Sequence, residues 1–275
     1  MLRYLRRGES QERSIPVLLY HKITGDFGMG GVWNTPIQFR RHMEYLKSSG
    51  FRTVSLEQAF GEFQEKSVVI TFDDGYEGVY TYAFPILKEL GFTASLFVIS
   101  GYIGKWNDWD VNFGVKFRHL NWNQIREMVG EGFSFHSHTC THPNLTWLGE
   151  LSLREELHRS KSELEQRLGT RVRYLSYPFG RYDEKVKRAA MDAGYVGCFG
   201  SYACPSGARD PYAMRRHGMY IIDTLWDFKV KIVGGGGVSD GLEELKGRAI
   251  TFFARGTYPV KRLQRSRKSH GIPEY

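Results

Sequence analysis

The stretch Val68-Val69-Ile70-Thr71-Phe72-Asp73-Asp74-Gly75 constrains this chain more than any other. It opens as a run of β-branched and aromatic residues, the composition of a strand buried on both faces. It closes on two adjacent carboxylates and a glycine. Charged side chains are almost never buried without a partner, so some group must meet them where the strand stops. Side chains alternate along a strand, and Gly75 can break that alternation and turn both carboxylates toward one pocket. Taken alone, the same residues also fit a solvated Asp-Asp-Gly turn.

A second stretch tips the balance: Phe135-His136-Ser137-His138-Thr139-Cys140-Thr141-His142-Pro143. His138 and His142 stand four apart and can converge on one ion if the segment turns. Pro143 stops a continuing helix there, which favours a loop at a strand end. One carboxylate with two imidazoles is a three-ligand set that leaves a divalent metal an open position for water. The second carboxylate is then free to act as a base. Without the aspartate pair, the histidines would read as a polar loop.

These two segments resemble the first two motifs of the polysaccharide deacetylases, carbohydrate esterase family four. Tyr174-Leu175-Ser176-Tyr177-Pro178-Phe179-Gly180 is similar to that family's third motif. The three occur in the family's order, and the resemblance runs from about Ile15 to about Val233. It implies a distorted, incomplete β/α barrel of about seven parallel strands rather than the regular eight. It also implies a metal held by Asp74, His138 and His142, with Asp73 as the base.

The order of elements agrees with that fold. Strands are expected at Ile15–Tyr20, Phe51–Val54, Val68–Phe72, Ala94–Ile99, Phe133–Phe135, Arg173–Tyr177, Tyr195–Phe199 and Met219–Ile222. Helices alternate with them. One is capped by Asn34 or Thr35 and ended by Gly50, and a short one is boxed by Ser55 and Gln58. One spans Tyr76–Leu90 with Pro85 as a kink or break, and one spans Trp122–Val129. A long helix is expected behind a Ser152/Glu155 capping box, with others capped by Asp183 and Thr224. Such alternation argues for a parallel sheet with helices outside it, and every candidate chemical residue falls at the C-terminal end of a strand. The loop carrying Trp106, Trp109 and Phe113 can offer aromatic faces to a sugar or anchor itself by burying them.

Composition bounds the rest. The 275 residues suffice for one large α/β domain. The reading is a basic N-terminal segment over 1–13, a catalytic domain over 14–235 and a basic C-terminal extension over 236–275. A mean hydropathy of −0.42 and the lack of an uninterrupted apolar run of spanning length fit a soluble protein. The first residues are basic but lack the apolar core of a secretory signal, so either a leader is missing or the protein is cytoplasmic. Cys140, Cys198 and Cys204 are too scattered for a disulfide framework. A net charge of +8 favours anionic partners. Arg3, Arg6 and Arg7, with the cluster Lys261, Arg262, Arg265, Arg267 and Lys268, could hold the protein to an anionic cytoplasmic membrane face. No nucleic-acid motif accompanies the charge, so no nucleic-acid partner is expected.

The resemblance assigns the remaining roles. Tyr177-Pro178-Phe179-Gly180 contributes through backbone, with the Phe179 N–H aimed at the developing oxyanion. Many family members carry an arginine before that proline to fix the base; Leu175-Ser176-Tyr177 has none. This variant points to the poly-N-acetylglucosamine deacetylase subgroup. The residue spacing itself leaves His136 to line the pocket or to support a ligand, rather than to bind the metal. The family's late Leu-x-His, source of the general acid, is absent after Gly180, whereas Leu19-Tyr20-His21 fits it at the front of the chain. His21 is therefore expected across the pocket from Asp73 as the proton donor, with His217 as the alternative. The expected activity is removal of N-acetyl groups from an amino sugar in a glycan or glycolipid, with zinc as the metal and cobalt, nickel or iron also fitting. Competing readings are deformylation of a lipid-linked sugar and a sugar-binding module without catalysis.

Overall fold

The computed structural model describes residues 15–26, 31–59, 66–108, 116–200 and 210–233. The basic termini, Trp109, Phe113, Cys204 and the Gly234–Gly237 break lie outside them.

Strand β1 (Val17–Tyr20) opens the chain, followed by the short pair β2 (Lys22–Ile23) and β3 (Trp33–Asn34). Helix α1 (Pro36–Ser48) starts at Thr35, whose Oγ1 accepts the Gln38 N–H, and Pro36 sits in its first turn where no N–H is missed. Strand β4 (Arg52–Thr53) and helix α2 (Leu56–Ala59) follow; Ser55 and Gln58 form the reciprocal box. Then come β5 (Ser67–Phe72), α3 (Phe84–Leu90), β6 (Ser95–Val98), α4 (Trp122–Gly130), β7 (Ser134–Ser137), α5 (Glu150–Leu168), β8 (Tyr174–Ser176), α6 (Glu184–Asp192), β9 (Gly197–Phe199), β10 (His217–Gly218) and α7 (Leu225–Val233).

The main sheet runs β10-β1-β5-β6-β7-β8-β9, all parallel, with β4 paired to the start of β5. It curls almost into a barrel. Its open edges meet through the segment before β10: Met214 bridges Phe199 of β9, and three residues on His217 pairs with Leu18 of β1. β5 is central, and all six of its residues are buried. Its outward side chains Val68, Ile70 and Phe72 join a large core with Phe39, Met43, Leu87 and other helix residues. Its inward Val69 packs with Phe97, Tyr174 and Phe199 inside the barrel. These two layers produce the continuous apolar reading of the strand.

Three expectations change. The Tyr76–Leu90 helix contains a π-helical turn over Val79–Ala83 that runs straight into α3, and Pro85 lies just past that junction. α5 begins at Glu150 behind Gly149, with Ser152 inside it. The preceding 3₁₀ turn, capped by Asn144, already sets the direction of the chain, and a Ser-x-x-Glu pattern on a charged helix need not be its start. The last strand is His217–Gly218, and residues 221–222 form a turn. That turn is tied to α7 because Asp223 accepts from the buried Lys231 ammonium at 2.6 Å and from the Tyr220 N–H.

Candidate active site

β5 delivers its two aspartates in different backbone states. Asp73 continues the strand, its N–H bonded to the Tyr20 carbonyl of β1. Asp74 and Gly75 then adopt φ of 68° and 71°, which swings the Asp74 carboxylate off the alternation. Gly75 is required twice over: its φ is left-handed, and a Cβ there would lie 2.8 Å from Val98 Cγ1.

β7 delivers the histidines. Thr139 and His142 also have positive φ, at 66° and 60°. Such strain persists only where the surroundings over-determine it. Here the His142 N–H bonds to Thr139 Oγ1, and the Cys140 and Thr141 N–H groups bond to the Glu156 carboxylate of α5. The tightly folded loop brings His138 Nε2 and His142 Nε2 to 3.2 Å from each other, and to 3.3 and 3.6 Å from Asp74 Oδ1. All three residues are buried. His138 Nδ1 lies 2.8 Å from the Ser176 carbonyl oxygen. That oxygen can only accept, so Nδ1 carries the proton and Nε2 turns a lone pair inward.

This donor set suits a divalent cation, with ligand atoms all within 4.8 Å of one another. The local field favours positive charge at that point. Burial lowers the His138 pKa, but Asp73 and Asp74 outweigh it and raise it. Burial and the neighbouring His138 push His142 down to about 3. Burial would raise Asp74, yet the imidazoles around it, His138 first, then His142 and His21, hold it well below the usual carboxylate range.

Asp73 stands apart from this cluster, 4.0 Å from His138 Nε2. The Arg216 guanidinium grips it with two parallel bonds of 2.7 Å, and the Ser176 hydroxyl donates to it at 2.8 Å. Arg216 also reaches Ser176 Oγ and Thr71 Oγ1 and lies against the rings of Phe97 and Phe199. Burial alone would raise Asp73, but Arg216, then His138, hold its pKa below normal. The arginine missing from the third motif is therefore replaced by one from the barrel's closing segment. Sequence reasoning passed over it. The available signal was Arg215-Arg216 ahead of a short strand.

β8 leads into a 3₁₀ turn, Pro178–Gly180, in which Phe179 has φ 57°. The Phe179 ring packs edge-on against His142, so the turn lies against the ligand cluster. The Tyr177 hydroxyl donates to the Tyr212 carbonyl and fixes the turn to the closing segment.

His21 follows β1 directly. Tyr20 pairs with Phe72, so His21 and Asp73 leave adjoining strands at the same level rather than facing each other across the barrel. Its Nδ1 is shut off from solvent and has no hydrogen-bond partner. Burial lowers its pKa, and the carboxylates of Asp74 and Asp73 act against that. His217 is paired with Leu18, whose side chain belongs to the outer core, while Arg216 one residue earlier faces inward. His136 lies inside the barrel against Phe97 and edge-on to Tyr174, with neither ring nitrogen bonded. Burial pushes its pKa down to about 3.

Fold and site together define a class: β/α-barrel proteins with a carboxylate–imidazole cluster and a separately held aspartate at the C-terminal ends of the strands. The family model for polysaccharide deacetylase matches residues 60–198, and the chain belongs to that family. The Bacillus subtilis protein YxkH, which bears the family's name, is 32% identical over 210 residues, 74% of this chain and 70% of its own. A Staphylococcus aureus poly-beta-1,6-N-acetyl-D-glucosamine N-deacetylase is 27% identical over 176 residues, 58% of this chain and 59% of its own. The chain thus spans less than two thirds of that relative. A crystal structure of a Bacillus cereus polysaccharide deacetylase superimposes with a TM-score of 0.69 at 27% identity, covering 80% of this chain and 69% of that one. Membership supports hydrolysis of N-acetyl groups on sugars as the class of activity.

Proposed function

We propose that this chain is a metal-dependent N-deacetylase acting on an N-acetylated amino sugar within a glycan or glycolipid. The observation that carries the reading is the division of labour between adjacent aspartates. Asp74 joins His138 and His142, while Asp73 is held off by Arg216 and Ser176. A module that only bound sugar would have no need of a second, ionised carboxylate in that place.

Asp74, His138 and His142 would hold a divalent cation, which would supply Lewis acidity to the acetamide carbonyl and to a water. Asp73, kept ionised by Arg216, takes the proton of the attacking water. The Phe179 N–H of the turn beside His142 is the donor for the oxygen that gains charge. His21 gives its proton to the sugar nitrogen as the C–N bond breaks, so that acetate and a free amine leave. Zinc suits the ligand set, and cobalt, nickel or iron also suit it.

Acetate and formate release, measured with each metal over a panel of N-acetylated and N-formylated amino sugars, tests the reading. Acetate from N-acetylated oligosaccharides is the expected product. Formate alone would replace the proposal with deformylation, and neither product from any sugar would overturn it.

Attachment to an anionic membrane face through the basic termini is proposed from charge alone. Among the described residues no helix is long and apolar enough to cross a membrane. Co-sedimentation with liposomes at physiological salt should rise with anionic lipid content; indifference to it would remove the idea.

A further inference from the structure

The turn that aims Asp74 is strained, because Asp74 is a non-glycine residue in left-handed backbone at φ 68°. Contacts from outside β5 must hold it there. Residues 118–120 lie antiparallel to residues 75–77 and supply them. The Leu120 N–H donates to the Gly75 carbonyl at 2.8 Å, and the Glu77 N–H donates to the Arg118 carbonyl at 2.8 Å. Between these bonds His119 pairs with Tyr76 as an antiparallel bridge. A third bond comes from a side chain: His119 Nδ1 lies 2.9 Å from the Asp74 carbonyl oxygen. A carbonyl oxygen only accepts, so Nδ1 carries the proton and donates it.

The imidazole is itself firmly held. The His119 backbone N–H donates to the Lys105 carbonyl at 2.9 Å. Its ring stacks on Tyr76, with centroids 4.9 Å and planes 20° apart. Tyr76 is locked in turn: its hydroxyl accepts from Asn107 at 2.6 Å, and the Lys22 ammonium sits 4.8 Å from its ring centroid. Lys22, Tyr76, Asn107 and His119 are all buried. One residue past Leu120, Asn121 opens α4 in a reciprocal box with Gln124, whose side-chain amide also donates to Glu77 at 2.9 Å. The His119 ring cannot turn from Asp74 without breaking this packing.

His119 thus reaches Asp74 through its backbone carbonyl, and Asp74 Oδ1 meets the two imidazoles on the other side at 3.3 and 3.6 Å. Rotation of the peptide between Asp74 and Gly75 would carry the carboxylate with it. A donor fixed on that carbonyl opposes the rotation.

We propose that His119 is a positioning residue for the metal site. Its Nδ1–H holds Asp74 in the left-handed turn and so keeps the carboxylate aimed at His138 and His142. The inference rests on reading those three residues as metal ligands.

Zinc affinity, measured by competition with a chromophoric chelator, tests it on three variants. His119→Phe keeps a ring to stack on Tyr76 but deletes the donor. Its Kd for zinc should rise about tenfold or more, on the 10–100-fold scale of outer partners of metal ligands. His119→Asn is smaller, yet its amide can place an N–H where Nδ1 stood, and it should regain most of the affinity. His119→Leu, the size of asparagine without the donor, should bind as weakly as phenylalanine. Space filling alone would rank phenylalanine above asparagine. Asparagine no tighter than phenylalanine therefore overturns the proposal, as does wild-type affinity in both donor-free variants. If His119→Phe fails to fold, asparagine against leucine gives the same comparison. A wild type that binds no divalent cation defeats the metal-site reading itself and takes this inference with it.

Discussion

Arg216 and Asp73 form a bidentate ion pair, both bonds 2.7 Å, between the segment that closes the barrel and the end of its central strand. The pair is almost sealed from solvent, with side-chain exposures of 2% and 5%. Removing one partner of such a pair typically costs about 3–5 kcal/mol, because the other is left buried and unpaired. Thr71, Ser176 and the rings of Phe97 and Phe199 complete the setting of the guanidinium.

Arg216→Lys is therefore predicted to fold and keep its metal but lose most of kcat, since an ammonium cannot hold both carboxylate oxygens in one plane. Arg216→Ala should lose stability as well. Metal content, melting temperature and kcat on the three proteins check this. A fully active lysine variant would show that Arg216 does not position Asp73.

His138→Ala and His142→Ala are predicted to lose the metal and all activity, because three ligands leave no redundancy. The measurement is metal content after gel filtration. One equivalent retained with unchanged affinity would remove that residue from the ligand set.

His21→Ala is predicted to retain the metal while kcat falls by roughly 10²–10⁴, the usual worth of a general acid or base. The alkaline limb of the kcat profile should disappear with it. Unchanged kcat and an unchanged limb would move the role elsewhere. His217 is a poor substitute, since it shares the outward face of Leu18.

Much of this site was legible in the sequence, and the illegible parts share a cause. Asp73, Asp74, His138 and His142 stand out because charged and imidazole groups follow directly on buried strands. His21 stands out only through the family resemblance, because Leu19-Tyr20-His21 fits the Leu-x-His motif. The partner of Asp73 did not, because contact between residues 73 and 216 depends on the barrel closing through Met214 and His217. An Arg-Arg pair between Met214 and His217 carries no local sign of that closure. The Ser152/Glu155 box failed for the opposite reason: a local pattern was overridden by the turn at Asn144–Leu148, which had already started the helix. Pro85 could be placed at a break, but no spacing distinguishes a π-helical turn from an α-helical one.

Acid should destabilise the fold through buried neutral histidines. Burial lowers His42 to about 4 and His136 to about 3. In the unfolded chain both titrate near 6.5, so below that pH the unfolded state binds more protons and stability falls with pH. The loss begins near pH 6.5 and continues to about pH 4 for His42 and about pH 3 for His136, worth roughly 3 and roughly 5 kcal/mol at those limits. His136→Phe, which removes two unbonded ring nitrogens from an aromatic setting, should flatten this slope and keep its metal. Urea midpoints between pH 7 and 4.5 check it, and parallel slopes for wild type and variant would contradict it.

Gly75→Ala is predicted to cost about 1–3 kcal/mol in stability, since it combines a left-handed φ with a Cβ pressed on Val98. Activity should fall further than stability does, because the strain falls on the residue that aims Asp74. A variant of wild-type melting temperature and kcat would show that the turn tolerates a side chain.

The most direct test of the central claim is acetate release from an N-acetylated oligosaccharide by metal-stripped and metal-reloaded protein, wild type beside Asp73→Asn. Stripped wild type should release no acetate and recover with one equivalent of divalent metal. Asp73→Asn should bind the same equivalent yet work roughly 10²–10⁴ slower. Acetate from the stripped protein, or full activity in metal-loaded Asp73→Asn, would contradict that claim.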